Sequence, residues 1–154
     1  RLCSVGAREV KPCRVAVVDT RYELTGSVDG VPQLDIGPRT DVLAGAPRAA
    51  GMRMMVVNMA PDIVVTDEIA TVSDARAVLD AAARWVTVAA SAHAGSVGEL
   101  MQKRAMWQLL QARVFRRIVL LGRSPRVGTV ERVYDEGLQN LPWEGAVCCE
   151  RLPC

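Results

Sequence analysis

The stretch Pro61-Asp62-Ile63-Val64-Val65-Thr66-Asp67-Glu68-Ile69 decides how the rest of the chain reads. A proline ends whatever helix precedes it. The run Ile63, Val64, Val65 suits a strand buried on both faces, as the strands of a parallel sheet are. Asp67 and Glu68 then fall at the strand's carboxyl end, the edge of an open α/β sheet where ligands bind. In a Walker B arrangement the first acid holds magnesium, usually through water, and the second orients or deprotonates the attacking water. On that pattern Asp67 is the metal residue and Glu68 the base. A strand ending in two solvated acids has the same local sequence.

Working outward, Arg14-Val15-Ala16-Val17-Val18-Asp19 is a second apolar run ending in an acid. Residues 22–37 hold Gly26, the Asp29-Gly30 turn signal, Pro32 and Gly37, which predicts a small hairpin or ordered excursion. A short helix is expected to begin over residues 39–43. Ala49, Met52, Met55, Val56 and Met59 then repeat at helical spacing up to Pro61, and Met52, Met54, Met55 and Met59 read as core filling.

Beyond the central strand, Val72, Ala75, Val78, Leu79 and Ala82 make one face of an amphipathic crossover helix, with Arg76, Asp80 and Arg84 on another. Residues 85–90 are expected as the third strand. Ser96-Val97-Gly98-Glu99 has the form of a capping box and opens a helix containing Leu100, Trp107, Leu110 and Val114. Strands follow at residues 117–121 and 129–134. Strands alternating with helices predict an α/β fold, a mostly parallel sheet with helices on both faces. Three strand ends converge on one edge: Asp19 with Glu23 beyond it, Asp67-Glu68, and Ser91-Ala92-His93.

The 154 residues are half hydrophobic, enough for one domain with a core. A formal charge of +2 from 19 basic and 17 acidic residues gives no argument for a nucleic-acid or membrane partner. The apolar runs stop short of the roughly 18 residues a membrane helix needs, so the expectation is a cytoplasmic protein. Cys3, Cys13, Cys148, Cys149 and Cys154 contain no Cys-x-x-Cys pair, which favours reduced thiols over a zinc site.

Several ordered motifs carry a family resemblance across residues 14–135. They are Val18-Asp19-Thr20-Arg21-Tyr22-Glu23-Leu24-Thr25-Gly26, the long stretch from Gly30-Val31-Pro32-Gln33 through Asp41-Val42, Gly51-Met52-Arg53-Met54-Met55, Val65-Thr66-Asp67-Glu68-Ile69 and Ser91-Ala92-His93. Together they resemble the stage III sporulation protein AA family, ATPases of the engulfed-forespore secretion machinery related to the type II and type IV secretion ATPases. The resemblance implies a P-loop NTPase core (RecA/AAA+-like) with ATP and Mg2+ as cofactors. It implies that Asp67 and Glu68 are the Walker B acids, that Glu23 helps place magnesium or the water, and that His93 senses the γ-phosphate. Asp19, Arg21 and Arg39 lie in matched motifs and are the implied nucleotide-contacting residues; a guanidinium suits phosphate because it stays charged and bonds bidentately. It further implies a homo-oligomer, a hexameric ring, coupled to membrane-embedded sporulation secretion proteins at the mother-cell side of the membrane, with no direct nucleic-acid contact. A related group of ATPases, fused to a small module that binds single-stranded nucleic acid, shares Val-Asp-Thr at the first strand but lacks the Gly-Val-Pro-Gln stretch.

The chain departs from the family in instructive places. Asp19-Thr20-Arg21-Tyr22-Glu23 stands where Asp-Glu-Arg-Ser-Glu is usual, and Ala70 and Ala94 stand where glycine commonly follows. A phosphate loop needs Gly-Lys-Ser/Thr, and the two lysines, Lys11 before Pro12 and Lys103 before Arg104, do not supply it. The chain opens with Arg1, and the expectation is that a phosphate-loop unit precedes it. Residues 1–13 then read as a linker remnant, 14–135 as the C-terminal part of the ATPase core, and 136–154 as a tail with no assignable element. Two functions fit: a motor ATPase whose isolated fragment is inactive, or a non-hydrolysing interaction module that keeps the fold.

Overall fold

The structure, a computed structural model, describes residues 13–142. The expected linker up to residue 12 and the tail from residue 143, with Cys3, Cys148, Cys149 and Cys154, lie outside the described residues. Four strands, β1 (Val15–Asp19), β2 (Thr40–Ala44), β3 (Ile63–Thr66) and β4 (Thr87–Ala90), form a parallel sheet in the order β2-β1-β3-β4. Helix α1 (Arg48–Met59) links β2 to β3 and α2 (Val72–Ala82) links β3 to β4. Helices α3 (Val97–Gln102) and α4 (Arg104–Gln111) follow. Strands β5 (Arg117–Gly122), β6 (Thr129–Asp135) and β7 (Asn140–Leu141) then make a separate antiparallel sheet. The architecture is α/β, compatible with a Rossmann-like fold.

The expected strands at residues 14–19 and 63–66 and the helices at 49–59 and 72–82 are where the apolar periodicity puts them. Alternation decides the two faces of the sheet. Ala16, Val18 and Val64 point to a core filled by Met52, Met55 and Val56 of α1, Ala75 and Val78 of α2, and Met106 and Leu109 of α4. Each fully buried Val here contributes about 1.5–3 kcal/mol of transfer free energy. Val15 and Val17 face the other way, against Leu24, Val42, Ile63 and Val65.

Helices therefore cover one face among the described residues, which corrects the expectation of helices on both. The cause is the direction of travel. From β2 over β1 to β3, and on to β4, the chain moves the same way across the sheet, and right-handed crossovers in one direction put their helices on one face. Only β1 to β2 runs the other way, and its connection, residues 20–39, brings Leu24 to the opposite face. Gly51 lets α1 lie close to the sheet: a Cβ there would stand 2.8 Å from Val18 Cγ1.

Other expectations are revised. Residues 39–43 do not begin a helix: Thr40–Ala44 is β2, in register with β1 from Val15 opposite Thr40 to Asp19 opposite Ala44. Five residues of free strand edge outweigh a weak local helical preference. The excursion contains the expected miniature hairpin, Val28 bridged to Val31, with Asp29 and Gly30 both at positive φ as a type I′ turn requires. Trp85 is not in a strand: it stands at φ 63 with its N–H donating to the Ala82 carbonyl, ending the turn after α2, and it is 95% exposed.

The helix expected from Ser96 breaks at Lys103, whose extended backbone ends α3 and begins α4; Trp107 is exposed and Val114 lies beyond the end. Only half of the capping box forms, because the Glu99 carboxylate accepts from the Gly95 N–H instead of that of Ser96. Met52 and Met55 fill the core, whereas Met54 and Met59 are exposed. Strand β7 lies past residue 135, in the stretch to which the sequence assigns no element.

Candidate functional site

The sheet order creates a topological switch point. From β1 the chain leaves toward β2 on one side and later returns to β3 on the other, so a crevice opens between the carboxyl ends of β1 and β3. Asp67 and Glu68 follow β3 there, and residues 20–25 follow β1. Helices α1 and α2 begin on the same edge.

Asp67 is 4% exposed. Its Oδ1 accepts from Arg48 Nε at 2.8 Å and Nη2 at 2.6 Å, while Nη1 reaches Asp74 Oδ2 at 3.5 Å. The Asp74 carboxylate also accepts from the Thr71 N–H, and the Asp74 N–H donates to the Thr71 hydroxyl, completing the capping box of α2. A guanidinium at the first residue of a helix opposes the helix dipole, and two carboxylates offset that here. The other oxygen, Asp67 Oδ2, is buried without a hydrogen-bond partner, with Arg21 Nε 3.8 Å away.

Arg21 sits among three acids. Its Nη2 donates to Glu68 Oε2 at 2.5 Å and its Nε lies 3.8 Å from Glu23 Oε1. The hydrogen bond from Arg21, aided by the charges of His93, Arg21 and Arg48, holds the Glu68 carboxyl below the usual carboxylate range against the opposing effect of desolvation. The same bond to Glu68, followed by the charge of Glu23, raises Arg21 above its ordinary value. His93 is largely exposed with Nε2 3.8 Å from Glu68 Oε2, and its carbonyl accepts from Lys103 Nζ.

Asp67, Glu68, Glu23 and His93 are thus linked through Arg21 and Glu68 at the crevice. Two residues do not join them. Asp19 is fully buried and its carboxylate is occupied by the N–H groups of Glu23, Leu24 and Thr25 and by the Thr25 hydroxyl, so it anchors the loop that carries Arg21 and Glu23. Arg39 precedes β2 and its carbonyl bonds the Val15 N–H, at the opposite edge of the sheet from Asp67. Sequence reading missed Arg48 and Asp74. A helix-cap signal was present in Thr71 and Asp74, three residues apart, and Arg48 directly after Pro47 marked a helix start, but nothing in the sequence joined the two helix ends.

The replacements of glycine by Ala70 and Ala94 cost no backbone strain, since neither residue has positive φ. Tyr22 does, at φ 63, in the loop after β1.

Fold and crevice define an open parallel α/β protein with a carboxylate and arginine site at its switch point. The family model described as "Sporulation stage III, protein AA" matches residues 1–141, and the chain belongs to that family. A relative, the stage III sporulation protein AA of Bacillus subtilis (strain 168), is 38% identical over 136 residues, covering 88% of this chain and 44% of the relative. The chain therefore spans less than half the length of that relative. Family membership implies a role in sporulation. No solved structure matches. Among the described residues, no helix is long and apolar enough to cross a membrane.

Proposed function

We propose that these residues form the acidic half of an ATP-hydrolysing site, in a P-loop motor that serves sporulation, with the phosphate loop supplied by sequence outside this chain. The observation that carries this reading is the unpartnered Asp67 Oδ2, buried at the switch point beside Glu68. An orphaned carboxylate oxygen costs about 1–3 kcal/mol or more unless a ligand satisfies it.

Magnesium fits that donor set. Among the described residues no group of three or more His, Cys, Asp or Glu side chains could cage a metal. Magnesium needs no such cage, since it binds through one or two carboxylates, waters and substrate phosphates. Asp67 would hold the ion, which would neutralise charge on the phosphate oxygens. Arg48 fixes the Asp67 carboxylate by its other oxygen.

Glu68 is the base for the attacking water, and Arg21 restrains it. A phosphate arriving at the crevice competes for the Arg21 guanidinium; once Arg21 turns to it, the bond that lowers the Glu68 pKa is gone and Glu68 becomes a stronger base. Glu23 lies on the far side of Arg21 and helps set the water, and exposed His93 is free to turn from Glu68 to a terminal phosphate. The reading extends to a homo-oligomeric, hexameric ring coupled to membrane-embedded sporulation secretion proteins on the mother-cell side.

The test uses a longer family polypeptide that includes a phosphate loop. Glu68→Gln is expected to retain MgATP binding and lose most hydrolysis; unchanged turnover removes Glu68 from the base role. The 154-residue chain alone is expected to bind MgATP weakly or not at all, and a Kd at or below about 1 μM by titration would contradict the missing phosphate loop.

A further inference from the structure

Strands β5 and β6 form a hairpin rich in arginine. Over residues 116–132 stand Arg116, Arg117, Arg123, Arg126 and Arg132, all exposed, against the single acid Glu131. The formal charge of +2 for the whole chain conceals this local excess. Alternation sorts the side chains of β5 onto two faces. One carries Ile118, which packs against the main core. The other carries Arg117, Val119 and Leu121, all exposed, with Val119 at 48% and Leu121 at 59%. Arg123 follows two positions on, and Val127 in the connecting turn is 86% exposed.

The nearby acids do not neutralise that outer face. Glu131 lies against Gly122, which alternates with Ile118 and so belongs to the inner face. Asp135, opposite Arg117, accepts from the N–H groups of Gly137 and Gln139 at 2.8 and 2.9 Å, so its carboxylate is committed to its own turn. The connecting turn is closed by its own bonds. The Gly128 N–H donates to the Gly122 carbonyl, and the Thr129 N–H and hydroxyl both donate to the Arg126 carbonyl. These bonds fix the turn around Val127 and leave its side chain outside it.

We propose that the outer face and tip of this hairpin bind an anionic phospholipid surface, with Val127 entering the headgroup boundary and Arg117 and Arg123 meeting the lipid phosphates beside it. Charge complementarity and apolar exposure on one face support that partner together. The apolar groups gain by leaving water, and the guanidinium groups gain from the negative surface. Nucleic acid fits less well: Val119 and Leu121 stand between the arginines, and residues 116–132 contain no aromatic ring on which a base could stack. A second copy of the face fits less well too, because it brings like charges together. With so few inserted groups the contact is weak and reversible. It does not rest on nucleotide hydrolysis.

Vesicle sedimentation of the 154-residue chain tests the proposal, with vesicles of phosphatidylcholine alone and of equal parts phosphatidylcholine and phosphatidylglycerol. The anionic vesicles are expected to bind the chain, less so as salt is raised, and the neutral ones to bind it at least about tenfold more weakly. Arg117→Gln and Arg123→Gln are each expected to weaken binding about fivefold. Val127→Asp is expected to weaken it, and Val127→Trp to strengthen it, by about tenfold, both with the parent's Tm because the residue is exposed. No binding to either vesicle, or equal binding to both, overturns the proposal. Binding to anionic vesicles that neither change at Val127 shifts also overturns it. Binding to duplex DNA as tight as to the anionic vesicles assigns the face to nucleic acid, and lipid-free self-association lost in Val127→Asp assigns it to a second copy; either result overturns it.

Discussion

Arg48 grips Asp67 Oδ1 with two nitrogens, at 2.8 and 2.6 Å, and leaves Oδ2 with no hydrogen bond. The pair joins the start of α1 to the end of β3, and through Asp74 to the start of α2. All three side chains are nearly buried, at 11%, 5% and 6% exposure, so each charge depends on the others. One arginine therefore both aims the proposed magnesium carboxylate and ties together the elements around the crevice.

Removing that arginine strands two buried carboxylates. Arg48→Met is expected to destabilise the chain by about 3 kcal/mol in urea unfolding, and Arg48→Met with Asp67→Asn together by clearly less than the sum of the single changes. Additive losses would show that the two side chains do not interact.

Asp19 predicts a loop defect. Asp19→Ala leaves three N–H groups and the Thr25 hydroxyl without their acceptor. The expected cost is about 2–3 kcal/mol, with faster amide exchange at residues 23–25. Native exchange at those amides would show that the loop holds itself without Asp19.

The Arg21 and Glu68 contact gives a pH dependence. A carboxyl whose folded pKa is lowered stabilises the fold above its unfolded pKa, and that contribution is lost as pH falls through the lowered folded value. Arg21→Ala is therefore expected to lower the urea midpoint near neutral pH, with the gap from the parent chain narrowing as the solution is acidified below the ordinary carboxylate range. A gap that widens on acidification would have the wrong sign. The exposure of Arg21 keeps the whole effect small.

Gly51 tests the closeness of α1 to β1. Alanine normally favours a helix over glycine by nearly ~1 kcal/mol. Here its Cβ meets Val18 Cγ1 at 2.8 Å and Leu43 Cδ2 at 3.3 Å. The clash is with the centre of the sheet, so Gly51→Ala is expected to destabilise by about 1 kcal/mol or more, seen as a lower Tm.

Ala70 predicts the converse. Its φ is not positive, so Ala70→Gly, which restores the family's common residue, is expected to lose about 0.4–1 kcal/mol through the unfolded chain's entropy. A gain in Tm would mean that the backbone there is strained.

The sequence by itself determined the parallel strands at residues 14–19 and 63–66, the helices at residues 49–59 and 72–82, and the placing of Asp67 and Glu68 at a strand's carboxyl end. These depend on apolar periodicity and proline, which act over a few neighbouring residues and are visible in any window of that size. It also determined the family, because the motifs recur in order. Tertiary structure alone decided the rest. Residues 40–44 became a strand because β1 offered an edge; Trp85 left its apolar run to close a turn; β5 left the parallel sheet for an antiparallel one. Asp19 and Arg39, equal as motif residues, were separated by register: one is consumed by its own loop and the other lies at the far edge. Arg48 and Asp67 are 19 positions apart in sequence, and only the right-handed passage from β2 over β1 to β3 brings their elements to one crevice. Contacts of that kind depend on the order of strands in the sheet, which no local pattern encodes.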